Sequence, residues 1–597
     1  MPSGYWERAR TLRTSRRRFM GAGAAATAGV AGMALVGCGD DDDDDDAGGS
    51  SGGASPTTAA SQAPAGSPTA AAVVRGGTVR LPLSGASSAN PPTIFPFENL
   101  TYLAQTPAGY HYSRLLRGKN GADVDNGDNT AMEGDVVSKW EQPDNQSYVF
   151  TLKPNAKWQN KAPMNGRAIT ATDFVKTYEA FLGISQNAAG WKAVVDKITA
   201  PDEKTIKISL KAPYAPFLVT HASSAEAVWF IPAETIANDQ AKKDPVGSGP
   251  FIFQKFESGV AISWKKNPDY YDAPLPNFDA AEAGLINDPQ RLVAALQAGD
   301  YDLSGLNGPI YKENRSKLDN KGTDVFTQGL AEGAFYFNFD NKPWNDLRVR
   351  QALSMALDRD GYLKVQDGTG KGNYFSFIPP GLAPFYMSPR DQKAKYGAQA
   401  KYWTRDVKGA RELLKAATGS DTLKFKLFCN VDRYGSEAQQ AWELFAATLK
   451  DAGFEAELVY QEYGSYIQST YLGKMPEGGC ACGPLIGSPR DPDNMFNNYW
   501  SESARHNWGG TPIEQQKDID AMIVKQRTLL DPKERLQFIQ DMQVKMSESF
   551  LVVPYHSSAG WVYANPWVKN WYHKVGYAYM PDSLMKANFT EERAKKG

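Results

Sequence analysis

Lys424-Phe425-Lys426-Leu427-Phe428-Cys429, then residues 436–450, then Phe454-Glu455-Ala456-Glu457-Leu458-Val459-Tyr460 form the stretch on which the fold turns. The outer two segments alternate apolar and polar side chains, the period of a half-buried strand. Between them Ala438, Ala441, Trp442, Phe445 and Leu449 recur at helical spacing. Strand, helix and strand at that spacing predict a right-handed parallel crossover, the unit of an α/β sheet.

Working outward, residues 335–339 read as a strand, and Asp346 then caps a helix with Val349, Leu353 and Ala356 on one face. Downstream, Asp531-Pro532 joins a cap to a first-turn proline and opens a helix with Leu536, Ile539, Met542 and Met546 inward. Extended apolar sequence follows at residues 550–555. The earlier part of the body has another texture. It begins near Gly76-Gly77-Thr78-Val79-Arg80-Leu81 and carries strand signals at residues 147–152, 205–210 and 251–256, with few long amphipathic helices. The expected architecture is two α/β lobes, with the C-terminal segment crossing back to the first.

The chain has 597 residues, 42% hydrophobic and 22% charged, enough for several compact units. Its formal charge of -2 hides an asymmetry. Residues 1–37 hold six Arg and one Glu, residues 40–46 are seven consecutive Asp, and the remainder is neutral. A neutral body offers no electrostatic footprint for nucleic acid. Four Cys are too few for a disulfide-dense scaffold, and none stands in a C-x-x-C pair.

Ser15-Arg16-Arg17-Arg18-Phe19-Met20 precedes an apolar Gly/Ala-rich stretch over residues 21–36, the charged and hydrophobic regions of a signal peptide. The pair Arg16 and Arg17 fits twin-arginine export. Leu35-Val36-Gly37-Cys38 resembles the bacterial lipobox, which implies a diacylglyceryl group on Cys38 as the mature N-terminus. A stretch this short and this rich in Gly and Ala suits a hydrocarbon core about 30 Å thick poorly. Residues 38–75 combine the Asp run with Gly, Ser, Ala, Thr and Pro and lack aromatic residues, so they read as a disordered spacer rather than a calcium loop, which interleaves its ligands with a turn glycine.

Catalytic patterns are absent: there is no G-x-S-x-G elbow, no H-E-x-x-H and no P-loop. The five His, at 111, 221, 506, 556 and 573, are too dispersed for a local metal cluster, and no cofactor motif is present. Gly247-Ser248-Gly249-Pro250 lacks the third glycine of a phosphate loop, and Pro250 removes an amide donor, so a tight turn before the strand at Phe251 is expected.

Four blocks in order then carry a resemblance. The first runs from Val137-Ser138-Lys139-Trp140-Glu141 through Ser147-Tyr148-Val149-Phe150-Thr151-Leu152 and Lys157-Trp158 to Ile169-Thr170-Ala171-Thr172-Asp173-Phe174. The second is Val246-Gly247-Ser248-Gly249-Pro250-Phe251 with Asn267-Pro268-Asp269-Tyr270-Tyr271. The third is Phe337-Asn338-Phe339, then Pro343-Trp344-Asn345-Asp346-Leu347-Arg348-Val349-Arg350-Gln351-Ala352-Leu353 and Leu357-Asp358-Arg359. The fourth is Asp491-Pro492-Asp493-Asn494 with Asp531-Pro532-Lys533-Glu534-Arg535. Together they resemble the extracellular solute-binding proteins of family 5, which serve peptide, nickel and opine importers of the ABC type, over nearly all of residues 76–597.

The resemblance implies a two-lobed periplasmic-binding-protein-like fold of type II, with an extra subdomain inserted in lobe 1 and the ligand cleft between lobes that close about a hinge. The boundaries it suggests are lobe 1 over 76–330, with the insertion at about 111–235, lobe 2 over 331–549, and a return to lobe 1 over 550–597. It implies no chemistry and no cofactor. The implied partners are a peptide or other small solute, an ABC permease with its ATPase subunits, and the membrane through Cys38, with the receptor a monomer. An exported hydrolase whose groups assemble only in three dimensions, and an interaction or chaperone lipoprotein, are the alternatives. Among motif residues, Arg350 and Asp358 are expected in helix-end and interlobe pairs, and Trp140 and Trp158 in the core.

For the ligand, the resemblance points to the loop before Asp491-Pro492-Asp493-Asn494 and to aromatic walls. Tyr102, Asn338, Tyr463 and Tyr466 are candidates by position, with Ser488, Arg490, Asp491 and Asn494 from the loop and block. Peptide-binding relatives commonly place an acidic residue three positions before the first Asp, against the peptide's α-ammonium group; Ser488 stands there. A hydroxyl cannot neutralise a buried ammonium, and Arg490 beside it favours an anionic or polyol ligand. Cys429 ends one strand, and Cys480 and Cys482 lie near a neighbouring one, where a single disulfide with Cys429 is permitted.

Overall fold

Strands Leu423–Asn430 and Phe454–Gln461 run parallel, with Leu423 opposite Phe454 and Asn430 opposite Gln461. Helix Gly435–Lys450 joins them and buries Ala441, Trp442, Phe445 and Leu449. The crossover is therefore formed as its periodicity predicts. This computed structural model describes residues 73–596 apart from 84–92, 125–129, 225–227, 287, 367–369, 431–434, 463–464, 472–474, 486–490, 505–510 and 575–579. The export signal, Cys38 and nearly all of the spacer lie outside the described residues, as do Tyr463, Ser488 and Arg490.

The crossover forms one edge of a six-stranded mixed sheet, in the order Leu303–Asn307, Val553–Ala564, Thr323–Phe337, Gly479–Leu485, Leu423–Asn430, Phe454–Gln461. A second, four-stranded sheet pairs Thr78–Leu83 parallel to Ala280–Leu285, followed by Ala261–Lys266 and Phe251–Glu257 antiparallel. A third sheet is wholly antiparallel, in the order Val137–Asp144, Ser147–Leu152, Thr205–Leu210, Val195–Thr199. Helix Ala171–Ile184 packs on it, opened by a reciprocal capping box between Thr170 and Asp173.

Two of the apolar cores among the described residues take their side chains from these layers. The larger gathers Phe335, Phe337, Trp344, Leu353, Phe425, Leu427, Trp442, Phe445, Met542 and Val553. The other gathers Val79, Leu81, Tyr110, Phe251, Trp264, Val562, Ala564 and Phe589. Strands Thr323–Phe337 and Val553–Ala564 contribute to both, and between the two contributions their register shifts, from Gln328 opposite Ala559 to Glu332 opposite Ser557. A register shift interrupts the ladder and concentrates bending there. Residues Val74–Gly597 form one compact unit, and among the described residues no helix is long and apolar enough to cross a membrane.

Several expectations are corrected. The strand expected over 335–339 is the end of a fifteen-residue strand, Thr323–Phe337; its Gly329 and Gly333 and the register shift hide the alternation. The apolar run at 550–555 begins as a helix end, with Phe550 left-handed (φ 42°) closing helix Pro532–Ser549, and the strand starts only at Val553. Trp140 is half-buried on a largely exposed strand, whereas Trp158 is fully buried. Arg350 takes the helix-end part of its expectation and not the interlobe part: its guanidinium donates to the carbonyl oxygens of Ser549 and Phe550 at the end of helix Pro532–Ser549 and to that of Trp344, all within the larger core's own elements. Asp358 accepts from the Gly361 amide and so caps the helix after it. Gly247 is required by close approach, because a Cβ there would fall on the carbonyl oxygen of His111.

Candidate functional site

The fourth sequence block is where separate elements converge. Asp491 caps the short helix Pro492–Met495 by accepting from the Asp493 amide. Its carboxylate is fully buried and is held by Arg535 of helix Pro532–Ser549, which donates to Oδ2 at 2.8 Å and to Oδ1 at 2.6 Å. Two parallel charge-assisted bonds fix the block's direction as well as its position. Arg535 also donates to Gln526 Oε1 at 2.7 Å, and its guanidinium lies over the Phe385 ring.

Asp493, two residues on, faces the antiparallel sheet. Tyr214, in the turn after strand Thr205–Leu210, donates its hydroxyl to Asp493 Oδ2 at 2.6 Å. Asp493 Oδ1 accepts from Gln526 Nε2 at 2.5 Å and Arg527 Nε at 2.6 Å, both on helix Gln516–Thr528. Beside it the Ala215 amide donates to the Arg527 carbonyl at 2.8 Å. Burial first, and then the Asp493 charge, push the Tyr214 hydroxyl well above its ordinary range. His221 packs edge-on to Tyr214 and is held neutral by burial, its imidazole lowered to about 4.

The candidate ligand residues divide. Tyr102 begins helix Tyr102–His111 and stands half-buried against the smaller core. Asn494 is half-buried in the first turn after Asp491. Asn338 shapes a turn, its side-chain oxygen accepting from the Asp340 amide. Tyr466 belongs to the larger core, with its hydroxyl donating to the Cys482 carbonyl oxygen. Asp491, expected at the ligand, instead has both oxygens engaged by Arg535 in the interior.

Among the described residues no group of three or more His, Cys, Asp or Glu is disposed to hold a metal ion. The strand neighbours expected for the cysteines are present, with Leu427 opposite Cys480. The permitted disulfide is not formed: Cys429, Cys480 and Cys482 are buried free thiols. Cys482 lies 3.4 Å from the Tyr555 hydroxyl, and burial raises its thiol to about 12.

Residues 131–507 match the family described as bacterial extracellular solute-binding proteins, family 5. The chain belongs to that family. This solute-binding protein is 27% identical over 469 residues to the probable D,D-dipeptide-binding periplasmic protein DdpA of Escherichia coli (strain K12), covering 76% of this chain and 84% of that one. In three dimensions it resembles the ABC transporter-associated periplasmic binding protein DppA from Helicobacter pylori in complex with the peptide STSA, with TM-score 0.68, 21% identity and coverage of 86% and 98%. It also resembles AgaA from A. tumefaciens R10 in complex with agropinic acid, with TM-score 0.67, 21% identity and coverage of 86% and 99%. The type II periplasmic-binding fold and the role of an extracellular solute-binding protein therefore stand. Tyr214, Gln526 and Arg527 escaped the sequence reading, because nothing local in a Pro-Tyr-Ala-Pro turn announces a partner 279 residues away, nor does a polar helix end announce one more than 30 residues back.

Proposed function

We propose that this solute-binding protein captures a peptide or peptide-like solute between lobe 1 (76–330, with the insertion at about 111–235) and lobe 2 (331–549), residues 550–597 returning to lobe 1. It closes about the two strands that join them and presents the solute to an ABC permease and its ATPase subunits. The observation that carries this reading is the pair of through-strands, Thr323–Phe337 and Val553–Ala564, each entering two separate cores with a shifted register between. Two rigid cores joined by an interrupted ladder are the anatomy of hinge closure.

Tyr102, Asn338, Tyr463, Ser488, Arg490 and Asn494 remain the ligand candidates in this proposal. Diacylglyceryl on Cys38, after export directed by Arg16 and Arg17, tethers a monomeric receptor to the outer face of the membrane. Two acyl chains suffice for a stable anchor, and the Asp-rich spacer lets the body reorient. With Ser488 at the usual acidic position and Asp493 engaged by protein donors, the solute is expected to lack a free α-ammonium group. Mass spectrometry of whatever co-purifies with the protein tests the ligand class. A blocked, cyclic or anionic peptide-like compound is the expected result; an ordinary free-amine peptide would overturn the reading of Ser488.

A further inference from the structure

Away from the two through-strands, the antiparallel sheet and the larger core's elements meet at Tyr214 and Ala215. The Tyr214 hydroxyl reaches Asp493, and the Ala215 amide reaches the Arg527 carbonyl. Each side of this contact is rigid on its own side. Tyr214 lies in a turn held by Phe217, whose amide donates to the Tyr214 carbonyl and whose ring stacks on Tyr148 of the sheet at 4.7 Å. Opposite, Asp493 is fixed by Gln526 and Arg527, Arg527 donates again to Asn497 Oδ1 at 2.8 Å, and the block is anchored through Asp491 on Arg535. A contact between two preassembled surfaces is made or broken as a unit, which is the requirement for a two-state element.

We infer that Tyr214, Asp493 and Arg527 are the latch of the closed form, positioning residues that set solute affinity without touching the solute. The inference rests on the closure reading above. Its chemistry is a charge-assisted hydrogen bond from a phenol to a carboxylate that already has two other protein donors. On opening, the Tyr214 hydroxyl and one Asp493 oxygen return to water, while the bonds from Gln526 and Arg527 persist. The cost of opening is therefore modest and the same for every solute, because nothing in the latch reads the ligand. A state-specific contact of this kind shifts the population between open and closed forms, and through it the apparent affinity. It also accounts for the second Asp of the Asp491-Pro492-Asp493-Asn494 block: its carboxylate serves the sheet across the interface.

The test compares wild type with Tyr214→Phe, which keeps the ring and its packing, and Asp493→Asn, which keeps the shape and removes the charge. Hydrogen exchange is followed at the segment holding the Ala215 amide, and the radius of gyration is measured on ligand-stripped protein and again with a panel of di- to tetrapeptides and their N-acetylated forms. The latch predicts exchange at Ala215 about tenfold faster in both variants and a larger ligand-free radius of gyration, with Tyr214→Phe, which leaves the Asp493–Arg527 ion pair in place, keeping a thermal midpoint close to that of wild type, a combination that mere loss of structure does not give. If wild type contracts with a solute while both variants exchange and scatter as wild type does, the latch is wrong and closure stands. If wild type never contracts, the closure reading fails and the latch with it.

Discussion

Replacing Arg535 with Met is expected to cost about 3–5 kcal/mol, the usual penalty for stripping one partner from a buried ion pair. Asp491 and Arg535 are both fully buried, so the orphaned Asp491 charge has no water to turn to. The loss spreads beyond the pair, because Arg535 also holds the Gln526 side-chain oxygen at 2.7 Å and Gln526 in turn donates to Asp493. Urea unfolding of the single variant should show a lower midpoint. The double variant Arg535→Met with Asp491→Leu should recover part of the loss, since an apolar pair of similar volume leaves no charge in the interior. Arg535→Lys should fall between, because one ammonium cannot reproduce the two parallel bonds.

Acid is expected to destabilise the protein well before its carboxylates titrate. His111 and His221 are buried and His556 and His573 half-buried, and desolvation lowers their imidazoles to about 3, 4, 3 and 4 respectively. The Trp264 indole donates to His111 Nδ1 at 3.1 Å, which keeps that nitrogen an acceptor and the ring neutral. Below an unfolded value of about 6.5 the unfolded chain takes up a proton at each of these rings while the folded chain does not. Stability is therefore full above that value and falls as pH drops towards 4. By pH 5 each ring contributes about 2 kcal/mol of loss. Even the two buried rings, His111 and His221, then remove a sizeable share of the stability of an ordinary domain, about 5–15 kcal/mol. Asp135 and Asp302, raised by burial, act in the opposite sense, and two groups do not offset four. Thermal melts at pH 7.5, 6.5, 5.5 and 5.0 should show a steep fall in midpoint below 6.5. Replacing His556, packed between Tyr362 and Tyr555, with Phe should flatten that slope by about one proton.

Much of the fold was legible because its parts are locally determined. The crossover around helix Gly435–Lys450, the cap at Asp346 and the Asp531-Pro532 helix start each depend on residues within a turn or two. The long strand Thr323–Phe337 was not legible over its first half, where Thr323-Asp324-Val325-Phe326-Thr327-Gln328 pairs regularly with Val553–Ala564 but does not alternate apolar and polar side chains. Arg350 illustrates a different gap. A helix-end role is expected of it, but its own segment does not say which helix: the side chain closes the end of one nearly 200 residues away by donating to the carbonyl oxygens of Ser549 and Phe550. The same holds for the site: the Asp491-Pro492-Asp493-Asn494 block could be found by resemblance, but only the packing of helices Gln516–Thr528 and Pro532–Ser549 and of the turn at Tyr214 shows that its two carboxylates are held by protein groups.

The central claim is that one solute draws two cores together about strands Thr323–Phe337 and Val553–Ala564. Small-angle scattering on the mature chain, stripped of ligand and then resupplied with the compound recovered from it, tests that claim most directly. The account predicts a radius of gyration that contracts on saturation and relaxes when the compound is removed. A radius of gyration that stays the same when binding is saturated would contradict it.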